Sequence, residues 1–156
     1  MEIKSKNKIA IIVASWHSEI VNTCKDACMA ELKAQKFDVS QIDSFVVPGS
    51  LEIPLTAQLL AESGKYSAIL AIGFIINGGI YRHEFVAGAV IDGIVQVGLK
   101  TGVPVLSAVL TPQNFHEHDI HQKFFKEHML IKGKELAASC LKTIKLINSI
   151  EKMNAK

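Results

Sequence analysis

Ile9-Ala10-Ile11-Ile12-Val13-Ala14 is an unbroken apolar run, mostly β-branched, with no polar residue to turn toward water. Such a run reads as a strand covered on both faces, which implies a parallel sheet with helices above and below it. The period changes directly afterwards. From Ser18 to Gln35 the residues Ile20, Val21, Cys24, Ala27, Cys28 and Leu32 recur at helical spacing with charges between them. Glu19 stands at the start of that helix, where its charge suits the dipole. The same alternation continues along the chain. Ile42 to Val47 predicts a second strand, ended by Pro48-Gly49. Pro54 suits the first turn of a second helix and Gly64 its C-cap. Ala68 to Ile75 predicts a third strand, Glu84 to Thr101 a helix closed by Gly102 and Pro104, and Val105 to Leu110 a fourth strand. A last helix is predicted from about Lys134 to Glu151, with Leu136, Ala137, Cys140, Leu141, Ile144 and Ile147 as its stripe.

This order predicts a three-layer α/β/α sandwich with a four-stranded parallel sheet, and right-handed crossovers restrict it to a flavodoxin-like layout. No internal repeat, linker or low-complexity tract interrupts it, so residues 1–156 read as a single domain. With 49 % apolar residues the chain has material for one substantial core. A formal charge of +2, from scattered lysines, gives no electrostatic footprint for nucleic acid. The longest apolar run, Ala68 to Ile76, is too short to span a bilayer, and no secretory signal is visible. The expectation is a cytoplasmic protein with neither membrane nor nucleic-acid partner. Cys24, Cys28 and Cys140 lack metal-ligand spacing and read as small core residues.

In open α/β sheets ligands bind outside the carboxyl ends of the strands. Three loops lie there: Trp16-His17, Pro48-Gly49-Ser50-Leu51-Glu52-Ile53-Pro54, and Asn77-Gly78-Gly79-Ile80-Tyr81-Arg82-His83. Trp16 either caps the core edge or stacks on a planar heterocycle. Glu52 either suits a helix start or accepts hydrogen bonds from a ligand. Gly78-Gly79 is either a plain tight turn or a close approach of backbone N–H groups to an anion. Arg82 is a fixed cation, and His83 is able to move protons near neutral pH. His116, His118 and His121 follow Thr111-Pro112, but no HExxH, cysteine or carboxylate set accompanies them, so no metal is expected. The helix from Glu84 is apolar over much of its circumference, which reads either as a core helix or as one covered by a partner subunit.

Taken together, these segments resemble the lumazine synthases of riboflavin biosynthesis, over nearly the whole chain from Ile9 to about Ile147. Val47-Pro48-Gly49-Ser50-Leu51-Glu52-Ile53-Pro54 is similar to the family's VPGAFEIP segment. Gly102-Val103-Pro104-Val105 followed by Leu110-Thr111 is also family-like. Ala14-Ser15-Trp16-His17, the run from Gly78 to Val86, and Phe115-His116-Glu117 with Phe124-Phe125 resemble the branch termed type II. The resemblance implies condensation of 5-amino-6-(D-ribitylamino)uracil with L-3,4-dihydroxy-2-butanone 4-phosphate, without a cofactor. It also implies a homopentamer or a pair of pentamers, with each active site at a subunit boundary. An alternative on the same scaffold is a flavin- or lumazine-binding oligomer with weak or lost catalysis.

The resemblance further implies the site. Trp16 stands where an aromatic stacks on the pyrimidine. Ser50, Leu51 and Glu52 stand where the ribityl chain and ring are held, and Phe74, Ile75 and Ile76 line the pyrimidine pocket. Gly79 and Ile80 match the phosphate-binding turn. Lys132 resembles a lysine that reaches a neighbour's site. There are three departures. Arg82 stands where the commoner branch has its proton-transfer histidine, with His83 one residue further on. Arginine stays protonated, so it would stabilise charge rather than move protons. Ser107 replaces a phenylalanine packed against the ring, and His121 stands near a phosphate-binding arginine. A histidine there would lose its hold on phosphate as pH rises, whereas an arginine would not.

Overall fold

The computed structural model describes residues 8–113, 115 and 119–155. Its strands are β1 (Lys8–Ala14), β2 (Ile42–Val47), β3 (Tyr66–Phe74) and β4 (Val105–Leu110). Its helices are α1 (Ser18–Ala34), α2 (Ile53–Glu62), α3 (His83–Thr101) and α4 (Asp119–Asn154). All strand pairs are parallel, in the order β2-β1-β3-β4. This is the flavodoxin-like layout, and its crevice opens between β1 and β3, where successive connections leave in opposite directions.

The apolar run of β1 divides by the two-residue period of a strand. Ile9, Ile11 and Val13 join the core under α1 and α4, with Val21, Cys24, Cys28, Met129 and Cys140. Ala10, Ile12 and Ala14 join the other core, under α2 and α3, with Ile53, Ala57, Val90 and Ile94. Each face of the sheet is thus closed by two helices, which is why β1 carries no polar position from Ile9 to Ala14.

The last helix starts at Asp119, not near Lys134. Before Lys134 it buries only Met129 and Gly133, while Ile120 and Phe124 are exposed, so no single stripe announces it. Gly133 looks like a helix stop but is a crossing point. A Cβ there would run into the carbonyl of Cys24 and sit 2.7 Å from Ala27 Cβ and 2.9 Å from Cys28 N. Glycine costs a helix interior about 0.5–1 kcal/mol relative to alanine, and here it lets α4 lie directly on the backbone of α1.

At the amino ends of the strands, opposite the crevice, Asp43 accepts from Tyr66 Oη at 2.8 Å and from Lys8 Nζ at 3.0 Å. The Tyr66 hydrogen bond, with Lys8 beside it, holds the Asp43 carboxyl below its ordinary range. Burial, with Asp43 adjacent, pushes the Tyr66 phenol up to about 12. This cluster ties β1, β2 and β3 together at the end away from the loops. Among the described residues no helix is long and apolar enough to cross a membrane.

Candidate active site

The loops after β1, β2 and β3 are stitched to one another by specific hydrogen bonds. Ser15 follows β1; its N–H donates to Val47 O at 2.9 Å and its hydroxyl to Pro48 O at 2.7 Å. The loop carrying Trp16 is therefore fixed to the loop after β2. There, Gly49 N–H donates to Glu52 Oε2 at 2.8 Å, so one oxygen of that carboxylate is committed to the backbone. Ser50 is buried, with its Oγ against the backbone of β3: a Cβ at Gly73 would lie 2.5 Å from it. After β3, Ile75 N–H donates to Leu110 O at 2.9 Å and is not available to a ligand. Asn77 Oδ1 accepts from Phe115 N–H at 3.2 Å, which ties the segment beyond β4 to this loop. Gly79 then turns the chain at φ +77°, where a side chain would be strained. Arg82 is the N-cap of α3 in extended conformation.

These loops enclose a cavity of about 350 Å³, within the size range of small-molecule sites. It gathers Trp16, Ser50, Leu51, Glu52, Phe74, Ile75, Ile76, Arg82 and His83 from three separate parts of the chain. His17, Gly49, Gly78, Tyr81 and Val86 complete the wall. The first four lie in the three loops expected to meet a ligand, though no substrate contact was assigned to them. Val86 has no sequence signal, because only the direction of the first turn of α3 brings it to the wall.

Five expected residues do not line this cavity. Gly79 and Ile80 sit exposed between Gly78 and Tyr81. Ser107 and Lys132 line a separate recess of about 300 Å³ between β4 and α4, with Leu106, Glu135, Leu136 and Ser139. Ser107 Oγ accepts from Val109 N–H at 3.1 Å, and Lys132 Nζ pairs with Glu135 Oε2 at 2.7 Å. His121 lies in the first turn of α4, its ring 6.5 Å from that of Phe115. His116 and His118 lie outside the described residues. Among the described residues, no three His, Cys, Asp or Glu side chains converge as metal ligands.

The chemistry of the cavity is divided by wall. Trp16 offers an exposed aromatic face at the mouth, and Phe74, Ile75 and Ile76 an apolar floor. The guanidinium of Arg82 lies 5.8 Å from the Phe85 ring centroid, the range of a cation–π contact. The His83 side chain is largely buried, with Nδ1 at 3.6 Å from Glu84 Oε2. A cation and the start of a 19-residue helix thus face one end of the cavity, an arrangement that favours an anion. Beyond the β1 loop, Lys126 Nζ at 2.8 Å holds the Glu19 carboxyl below its ordinary value through their hydrogen bond.

Comparison with known proteins bears on this arrangement. The family described as 6,7-dimethyl-8-ribityllumazine synthase matches residues 6–148. A 6,7-dimethyl-8-ribityllumazine synthase 2 of Bradyrhizobium diazoefficiens is 49 % identical over 137 residues, covering 88 % of this chain and 82 % of that protein. One of the same designation from Pseudomonas syringae pv. tomato is 43 % identical over 160 aligned positions, covering 100 % of this chain and 94 % of its own. A 6,7-dimethyl-8-ribityllumazine synthase of Rhodococcus erythropolis is 46 % identical over 143 residues, covering 92 % of each.

Proposed function

The chain belongs to the 6,7-dimethyl-8-ribityllumazine synthase family, and from that membership we propose how its cavity carries the reaction. It is a transferase that condenses 5-amino-6-(D-ribitylamino)uracil with L-3,4-dihydroxy-2-butanone 4-phosphate, the penultimate step of riboflavin biosynthesis. The observation that carries the assignment of the site is the convergence of Trp16, Glu52, Arg82 and His83 on one cavity from three loops.

Trp16 stacks on the pyrimidine, Phe74, Ile75 and Ile76 form the floor under it, and Ser50, Leu51 and Glu52 hold the ribityl chain. The Glu52 oxygen not committed to Gly49 accepts from ribityl hydroxyls. The phosphate sits at Gly79 and Ile80, before the start of α3. The 5-amino group attacks the ketone and water leaves to form the imine. Loss of the proton on C3 of the butanone then expels phosphate from C4, and the resulting enol tautomerises to a new ketone at C3 beside a methyl group. The ribitylamino nitrogen closes the ring on that new carbonyl, and water leaves again. Arg82 stabilises charge on the departing phosphate, since a guanidinium is a poor acid or base. His83, beside it, moves the protons. No electrons are exchanged with an outside partner, so the chemistry needs no cofactor. Holding the two substrates in register supplies about 7–11 kcal/mol of the barrier.

The working form is a cytoplasmic homo-oligomer, a pentamer or a pair of pentamers. Two features support this. The outer face of α3 exposes Phe85, Val95 and Leu99, and α2 exposes Leu55 and Leu59. The recess carrying Ser107 and Lys132 is detached from the cavity within one chain. A neighbour's recess closes the cavity, with His121 and Lys132 toward the phosphate. Mixing an impaired Trp16→Ala chain with an impaired Lys132→Ala chain raises activity above the mean of the two if the site is shared; no rise after verified mixed assembly excludes sharing.

The function is tested with purified protein and both substrates, following lumazine fluorescence and phosphate release together. A protein-dependent rate above spontaneous condensation, with equal yields of both products, is expected. Tight riboflavin binding without such a rate would make the chain a binding protein.

A further inference from the structure

His17 has an unusual local setting. It is one of two non-glycine residues with positive φ among those described, at φ 56° and ψ 44°. Residues held in sparsely populated backbone regions cost about 1–3 kcal/mol each. Its carbonyl accepts from Ile20 N at 3.0 Å and Val21 N at 3.1 Å, opening α1, but its side chain makes no capping hydrogen bond. Serine, aspartate or asparagine would cap the helix better, and glycine or asparagine would bear the left-handed backbone at less cost. What histidine supplies is a ring. The imidazole stands edge-on to Phe74 at 5.8 Å and to Phe115 at 5.9 Å, wedged between the end of β3 and the segment after β4.

Trp16 is the neighbour of this wedge. It is 69 % exposed, so no close-packed pocket fixes its ring. It is fixed instead by its backbone. On one side Ser15 is tied to Val47 and Pro48. On the other, the left-handed turn at His17 reverses the chain into α1. Between them, the indole edge lies over Gly49: a Cβ at that glycine would sit 3.3 Å from Cζ3 and 3.4 Å from Cε3.

Resting on the stacking role of Trp16 given above, we infer that His17 is a positioning residue that aims Trp16 across the cavity mouth, its ring clamped by Phe74 and Phe115. It acts on pyrimidine affinity through Trp16 and not by touching the reacting atoms.

Trp16 is the only tryptophan, so its fluorescence reports this directly. His17→Asn keeps the tolerance of the left-handed backbone and removes the ring; His17→Gly is the second variant should the first fold poorly. Time-resolved anisotropy of Trp16 is expected to show a faster, wider motion in His17→Asn. The Michaelis constant for the pyrimidine is expected to rise about tenfold, a part of the worth of one aromatic stack, while that for the butanone phosphate stays in place. In a Trp16→Ala background, His17→Asn should add no further loss. Unchanged Trp16 anisotropy, or the same kinetic loss with and without Trp16, overturns the inference. Failure of the stacking reading looks different: Trp16→Ala would leave the pyrimidine Michaelis constant unchanged. The anisotropy, which needs no substrate, then still decides the role of His17.

Discussion

Gly49→Ala is a clean perturbation of the site, because the backbone at Gly49 accepts alanine. Its φ of −138° and ψ of 177° are extended geometry open to any residue. The added methyl meets only the site. It would lie 3.2 Å from Glu52 Oε2, 3.3 Å from Trp16 Cζ3 and 3.4 Å from Trp16 Cε3. Each neighbour must give by a few tenths of an ångström. The indole is exposed and the carboxylate is the end of a flexible chain, so both are able to move. The stability cost is therefore at most about 1 kcal/mol, the low end for overpacking. Function should suffer more. A misplacement of about 1 Å can cost on the order of 10²-fold in rate, so a few tenths should cost about three- to tenfold in kcat/KM. Most of that is expected in the Michaelis constant for the pyrimidine, because Trp16 and Glu52 are both proposed to hold that substrate. Steady-state rates at saturating butanone phosphate, with thermal unfolding of the same preparation, measure both quantities. Kinetic constants within about twofold of the parent would refute the placement of Trp16 and Glu52 against the pyrimidine. A large loss of stability with unchanged pyrimidine affinity in the folded fraction would refute it equally.

Three further outcomes follow from the packing. Gly133→Ala puts a methyl against backbone atoms of α1 that cannot step aside; urea unfolding should show a loss of about 1–3 kcal/mol or more, and an unchanged midpoint would mean that α4 does not cross α1 there. Asp43 has a depressed folded pKa, so its contribution is present above the unfolded carboxylate value and is lost as pH falls through the folded one. Asp43→Asn should therefore lower the melting temperature near neutral pH, and the gap from the parent should close in acid; a gap that widens in acid would contradict the assignment. Cys24, Cys28 and Cys140 are buried, and burial pushes each thiol up to about 12. A thiol reagent at mildly basic pH should modify none of them until denaturant is added, and stability should decline once pH exceeds the ordinary thiol range, because only the unfolded chain ionises there.

Much of the layout was legible in the sequence, for physical reasons. The β-branched run at Ile9 to Val13 has no solvent face, and only a doubly covered parallel strand satisfies that pattern. Loops after parallel strands gather at one edge of a sheet, so Trp16, Glu52 and Arg82 were recognisable as neighbours before any geometry was known. The first half of α4 was hidden because its apolar residues point several ways and Gly133 imitates a stop signal. His17 was hidden because histidine is neither a strong cap nor a strong turn former, and its role is long-range, set by Phe74 and Phe115. The separation of Ser107 and Lys132 from the cavity follows from the edge position of β4, and no local periodicity carries that information.

The most direct measurement is a titration of the protein with an analogue of the pyrimidine substrate that lacks the 5-amino group and cannot condense, read by the emission of Trp16. This lone tryptophan lies over the cavity mouth, so ring stacking must change its emission. Saturable quenching is predicted, with one analogue per chain and a dissociation constant matching the inhibition constant of the same analogue against lumazine formation. Inhibition of turnover without any change in Trp16 emission would place the pyrimidine elsewhere and contradict the account.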